Sequence, residues 1–265
     1  MCMVVSTAPP GRLEARRRLG HHTEALMEML LGCFLLGAAT LAGLVFVHRP
    51  WPNRVDAIGL RLLPADLSSR WAADVAHLGS LTVLIAGSAV LCVVAAISRN
   101  RMRALSCLIA PIAAVLIVQS VAKPLVGRHF EGTSALSYPS GTVAAVAALA
   151  AAAFLVVPRF AKPLVAVAGG AVVVAVCAAL VVLRWHYPTD ALGGVCVGAG
   201  AVFALDGLLL SIRNPAAGPP VQLTLRTVAG HAPEASLSKS ADPMMPEITD
   251  SSEAPGRQSR GDVSQ

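Results

Sequence analysis

From Gly141 to Leu183 the chain is almost wholly apolar, and its one break is Pro158-Arg159-Phe160-Ala161-Lys162. Each side of that break approaches the ~20 residues an α-helix needs to cross a bilayer. The stretch therefore predicts a helical hairpin that leaves a membrane on the face it entered. Three polar clusters flank it: Lys123-Pro-Leu-Val-Gly-Arg128 and Tyr138-Pro-Ser-Gly-Thr142 before it, Arg184-Trp-His-Tyr-Pro-Thr-Asp190 after it. Lys123, Arg128, Ser140, Arg184, His186 and Asp190 are thus predicted to meet on one side of the membrane.

The rest of the chain supports the same reading. Only 14% of its residues are charged, against ~25% in soluble domains. Further apolar spans lie at 27–47, 78–97, 104–122 and 190–212, the third containing Pro111, where a kink is expected. With 141–157 and 163–183 these predict an all-α polytopic membrane protein, six transmembrane helices in a bundle. Residues 1–25 read as a cytoplasmic N-terminal segment bearing Arg12, Arg16, Arg17 and Arg18, 26–212 as the membrane domain, and 213–265 as a disordered cytoplasmic tail. The first apolar run exceeds the ~7–15 residues of a signal-peptide core and lacks a small-residue cleavage site, so it is expected to remain as a helix. In the 48–77 loop, Val55–Leu63 is expected as a short interfacial helix, with Trp51 and Trp71 in the headgroup layer. The net charge of +6 is carried mostly by short loops beside the spans, which points to topology and not to nucleic acid. By that rule the Arg99–Arg103 and Arg159–Lys162 loops and both termini are cytoplasmic. Lys123, Arg128 and Arg184 then fall on the opposite side, where orientation does not account for them. Five of the six cysteines lie in apolar segments without metal-ligand spacing, so neither a metal, another cofactor nor a disulfide framework is expected.

Ser140 is placed to cap the helix that Gly141 opens, offering an anion unpaired N–H groups and a positive dipole end. Gly141 leaves the backbone open to a phosphate oxygen. His186 and Asp190 stand at i and i+4 around Pro188, where a carboxylate can fix an imidazole tautomer and favour its protonated form. An ordinary capped helix explains the first cluster alone, and an interfacial turn the second. A cation-rich face beside an imidazole adds a phosphate-handling reading, since such a face stabilises phosphoryl charge. His77 is expected at the interface, Gly194 and Gly198 at a close helix crossing, and Asp206 near the cytoplasmic end of the last span.

Taken together, the clusters resemble the signature of the type 2 phosphatidic acid phosphatase superfamily, which also includes vanadium haloperoxidases. The resemblance covers residues ~75–212 and rests on Lys123, Pro139-Ser140-Gly141 and His186-Tyr-Pro-Thr-Asp190. It implies hydrolysis of a lipid phosphate or diphosphate held among membrane lipids. In that scheme His186 forms a phosphohistidine, Asp190 orients it, and Lys123, Ser140 and the Gly141 N–H hold the phosphate. The pattern departs at three places. Phe130-Glu131 replaces Arg-Pro, with Arg128 two positions earlier as a substitute. Ala179-Leu180 replaces Ser-Arg, with Arg184 one helical turn on. Thr142 stands where the superfamily has the His that protonates the leaving oxygen, and His129 is the nearby alternative. A relative that binds lipid phosphate without turnover is the alternative reading; a small lipid or anion transporter ranks behind it.

Overall fold

A computed structural model describes residues 10–47, 49, 51–63 and 69–213. The tail expected over 213–265 lies outside them except for Arg213, as do the side chains of Arg12, Arg16, Arg17 and Arg18. All regular structure among the described residues is helical: α1 (Pro10–Phe46), α2 (Arg54–Leu62), α3 (Ser69–Ala76) with a 3₁₀ turn (His77–Gly79), α4 (Leu81–Ile97), α5 (Arg101–Ile117), a π turn (Val118–Ala122), α6 (Lys123–Val126), α7 (Gly141–Val156), α8 (Lys162–Val182) and α9 (Pro188–Arg213).

Four stretches are long and apolar enough to cross a membrane: Thr23–Phe46, Arg101–Val126, Lys162–Val182 and Pro188–Arg213. Arg70–Gly79 and Leu81–Ile97, bent by 47°, make a fifth if taken as one span. The remaining expected span is α7, with 16 residues. At 1.5 Å per residue it rises about 24 Å, less than the ~30 Å hydrocarbon core. The predicted six spans therefore correspond to four or five full-length helices and one short apolar helix. Pro111 sits inside α5, and the change of helical register comes later, in the π turn.

Packing is centred on α9, which lies along α1, α5 and α7. Nearly every turn of α7 is buried, as suits a helix apolar on all faces. Small residues set the crossings. A Cβ on Gly194 would lie 2.5 Å from the Ser140 carbonyl oxygen, and one on Gly198 would run into the Ala144 carbonyl. The expected close crossing is thus the α7–α9 contact. Gly198→Leu is expected to destabilise the fold by about 1–3 kcal/mol through overpacking, read as a lower thermal midpoint in detergent. Gly37→Leu, with nothing within 4 Å of a new Cβ, should leave that midpoint unchanged.

At the far end of α9 from His186, Asp206 is fully buried. Arg103 explains it: Nε donates to Asp206 Oδ2 at 3.3 Å, Nη1 to the Leu155 carbonyl at 3.0 Å and Nη2 to Glu28 Oε1 at 3.3 Å. One guanidinium joins α1, α5, α7 and α9 there. From Asp190 to Asp206 the helix rises about 24 Å, so this knot and the predicted site occupy opposite ends of the bundle.

Candidate active site

The α8–α9 turn and the first turn of α9 carry Arg184, His186 and Asp190, three of the six polar residues predicted to meet. Trp185 N–H donates to the Leu180 carbonyl and Arg184 N–H to that of Val181, both at 3.1 Å, the pair of bonds of a Schellman closure. Glycine usually fills its left-handed position. Here Arg184 does, at φ 56°, at a cost of about 1–2 kcal/mol. Its far end offsets this, because Nη2 donates to the carbonyls of Leu60 at 3.1 Å and Leu63 at 3.5 Å, closing the last turn of α2. The expectation that Arg184 shares a helical face with Leu180 fails for a simple reason: α8 ends at Val182. Leu180 belongs to an apolar cluster with Ala76, Val143, Val176 and Ala191.

The same turn delivers His186 and Asp190. Asp190, fully buried in the first turn of α9, accepts the Tyr187 N–H on Oδ2 at 3.0 Å and Arg128 Nη1 on Oδ1 at 2.7 Å. His186 Nδ1 stands 3.9 Å from Asp190 Oδ2, is buried, and has no hydrogen-bond partner among the described residues. A small closure would join the two. With Nδ1 turned to the carboxylate, Nε2 is the nitrogen left for a ligand.

Arg128 was expected to hold phosphate, and the structure gives its guanidinium other partners. It is fully buried, with Nη2 donating to Asp56 Oδ2 at 2.6 Å and Nη1 to Thr189 Oγ1 at 2.8 Å as well as to Asp190. The rings of Phe46 and Tyr187 sandwich its plane, at 4.2 and 4.5 Å to their centroids. Asp56 Oδ1 also accepts the Thr189 N–H at 3.0 Å and hydroxyl at 2.8 Å. Sequence reading missed Asp56. Its only legible trace was Asn53-x-x-Asp56, which forms the capping box of α2 and announces a helix start, not a buried carboxylate.

Ser140 and Gly141 occupy the expected helix start. Ser140 is fully buried, its Oγ accepts the Val143 N–H at 3.4 Å, and its own N–H donates to the Asp190 carbonyl at 3.0 Å, fastening α7 to α9. A Cβ on Gly141 would lie 2.7 Å from Gln119 Nε2. The glycine thus lets the amide of the π turn rest against the helix start, and π turns of this kind often mark functional positions. Lys123 follows that turn, half-buried, with Asp190 close enough for their charges to interact. Among the described residues it forms no ion pair.

The residues at the three departures are also placed. Phe130 stacks on Tyr187 at 4.5 Å between centroids, and the Tyr187 hydroxyl accepts the Glu131 N–H at 3.1 Å. Burial pushes the Tyr187 phenol up, which keeps it neutral for that role. His129 pairs with Leu136 in an isolated antiparallel bridge. Thr142 is covered by Gly79 of the 3₁₀ turn, whose absent Cβ makes room for it.

Residues 104–206 match the family model of the PAP2 superfamily. The chain carries a PAP2 segment. A solved structure described as the first transmembrane PAP2 type phosphatidylglycerolphosphate phosphatase from Bacillus subtilis is also similar, with TM-score 0.50 and 20% identity over 70% of this chain and 95% of that one. This likeness extends the shared PAP2 fold beyond the matched segment. No curated protein matches the chain. All the sequence-predicted site residues, Lys123 to Asp190, fall within the matched segment; what it omits is α2, with Asp56, and Phe46.

Proposed function

We propose that the protein is a membrane phosphatase that hydrolyses a lipid phosphate or diphosphate through His186, at the extracytoplasmic surface. The observation that carries this reading is the imidazole of His186. Its Nδ1 faces a carboxylate fixed from two sides, at the end of the bundle where α7 starts and Lys123 forms no ion pair among the described residues. Asp190 holds the tautomer, and Nε2 attacks phosphorus as the P–O bond to the lipid breaks, the leaving oxygen taking its proton from His129 or solvent; water then cleaves the P–N bond, releasing inorganic phosphate and free His186. Lys123, Ser140 and the Gly141 N–H hold phosphoryl oxygens. Arg128 and Arg184 act on the protein's own groups, the first on Asp190 and the second on α2. The basic loops between spans orient the opposite face, and both termini, toward the cytoplasm.

A lipid tail has somewhere to lie. An apolar cavity of about 260 Å³ between α1 and the α5–α6 segment is lined by Leu36, Gly43, Val121, Leu125, Tyr138 and Pro139 among others. Tyr138 and Thr40 turn their hydroxyls to α1 carbonyls at 2.6 and 2.8 Å, leaving the lining without free donors.

Thr142 favours a second reading, binding without turnover, because a threonine hydroxyl is too weak an acid to protonate an alkoxide leaving group. Phosphate release by purified protein from a panel of lipid monophosphates and diphosphates separates the two. Release on any member supports the phosphatase; folded protein that binds orthovanadate yet releases none supports the binder. Within the phosphatase reading, Thr142→His should speed monoester cleavage by about 10²-fold or more, within the range a general acid supplies. Diphosphates, whose leaving group is already a good one, should gain little. No gain on either would show that His129 or solvent already supplies the proton.

A further inference from the structure

The charge arrangement behind His186 contains a residue that neither the PAP2 segment nor the phosphatase reading assigns. We infer that Asp56 is a positioning residue: through Arg128 it sets the negative charge that Asp190 presents to His186. This rests on His186 being the reacting group.

The geometry is a closed line of contacts. Asp56 and Asp190 bind opposite nitrogens of one guanidinium, at 2.6 and 2.7 Å, and all three side chains are fully buried. Thr189 completes the ring, donating to Asp56 and accepting from Arg128. Arg cannot be deprotonated in a protein, so the three groups sum to one negative charge beside the imidazole. Without Asp56, Arg128 would neutralise Asp190, and nothing would favour the positive imidazole that forms as Nε2 takes on phosphorus. With Asp56 present, the guanidinium can orient Asp190 and still leave a net charge. The device needs a rigid support, and α2 provides it. Asn53 caps the helix start, Arg184 closes its end, and Gly59 lies against Pro188, the first residue of α9.

Among the described residues the other ionisable groups around this line are Lys123 on α6, whose charge acts on Asp190, Tyr138 and Tyr187, which both feel Asp190 and Arg128, Glu131 beside the Tyr187 hydroxyl, and His77 on the 3₁₀ turn that packs on α7. None changes between the variants compared below. Titration of His186 is followed by ¹³Cε1 NMR of the full chain in detergent, its signal assigned with His186→Ala. In Asp56→Asn the charge sum falls to zero, and the titration should move to lower pH by about one unit, the size of one screened charge at this range. The double variant Asp56→Asn, Arg128→Met restores a sum of minus one and should bring the titration back toward wild type. It leaves Asp190 buried without its cation, so both variants are compared on protein shown to unfold cooperatively in detergent. Turnover measured in parallel should fall in Asp56→Asn about 10- to 100-fold, the usual loss for an outer partner of a reacting group, with KM little changed. An unmoved titration in folded Asp56→Asn overturns the inference, as does a double variant that stays displaced. Should wild type release no phosphate while the shifts appear, the phosphatase reading fails and the assignment of Asp56 stands.

Discussion

Protein carrying His186→Ala is expected to lose phosphate release by about 10⁴-fold or more, the scale seen when a covalent nucleophile is removed from a site that acts as a unit. Binding of orthovanadate through Lys123, Ser140 and the Gly141 N–H should weaken far less than turnover, since none of those groups is touched. The fold should survive. His186 Nδ1 makes no hydrogen bond among the described residues, and its 3.9 Å approach to Asp190 is too long to hold the turn. The closures at Leu180 and Val181 use backbone groups only. The cost to stability is therefore that of an ordinary truncation, about 1–2 kcal/mol. Phosphate release by His186→Ala at the wild-type rate would remove the imidazole from the mechanism, leaving a water activated elsewhere.

Arg128→Met should show the opposite balance, with stability suffering first. Removing the guanidinium leaves Asp56 and Asp190, both without solvent exposure, facing each other across a gap that a thioether fills but does not neutralise. Breaking a buried pair in this way costs about 3–5 kcal/mol. The measurement is thermal unfolding in detergent at neutral pH, beside Arg128→Lys. Lysine keeps the charge but cannot bridge two carboxylates in one plane or stack between Phe46 and Tyr187, so it should recover less than half of the loss. Full recovery by lysine would mean that charge alone matters at this position, and that the planar sandwich contributes little.

The membrane bundle was legible because its cause is local. Apolar length, basic loops and small residues at a spacing of four are written along the chain, and α8, α9 and the Gly194–Gly198 crossing follow from them. Ser140 capping α7 and Asp190 beside His186 were legible for the same reason. Arg128 shows where this stops. Its sequence context, a cation on the wrong face for topology, is the same whether it meets a phosphate or two carboxylates. The difference lies in Asp56, 72 positions away, on a helix whose amphipathic pattern suggested only the membrane surface. Arg184 failed differently. Helical spacing placed it with Leu180, but the helix had already closed, and a left-handed arginine is not something that spacing reveals. Asp206 was expected near the cytoplasmic end of the last span. That it is buried depends on Arg103 from another helix, a pairing invisible within its own span.

The buckle formed by α2 has a consequence for where the working unit begins. The stretch recognisable by family, residues 104–206, contains His186, Asp190 and every predicted phosphate ligand, yet it is not self-sufficient. Arg128 takes one of its two carboxylates and one of its two rings from residues 46–56, and Arg184 finds its acceptors at Leu60 and Leu63. Cut free at residue 104, the segment would keep its reactive groups and lose the scaffolding that sets their charge and orientation. The heritable signature and the smallest competent machine are therefore different lengths of chain, and the second starts no later than the first membrane helix.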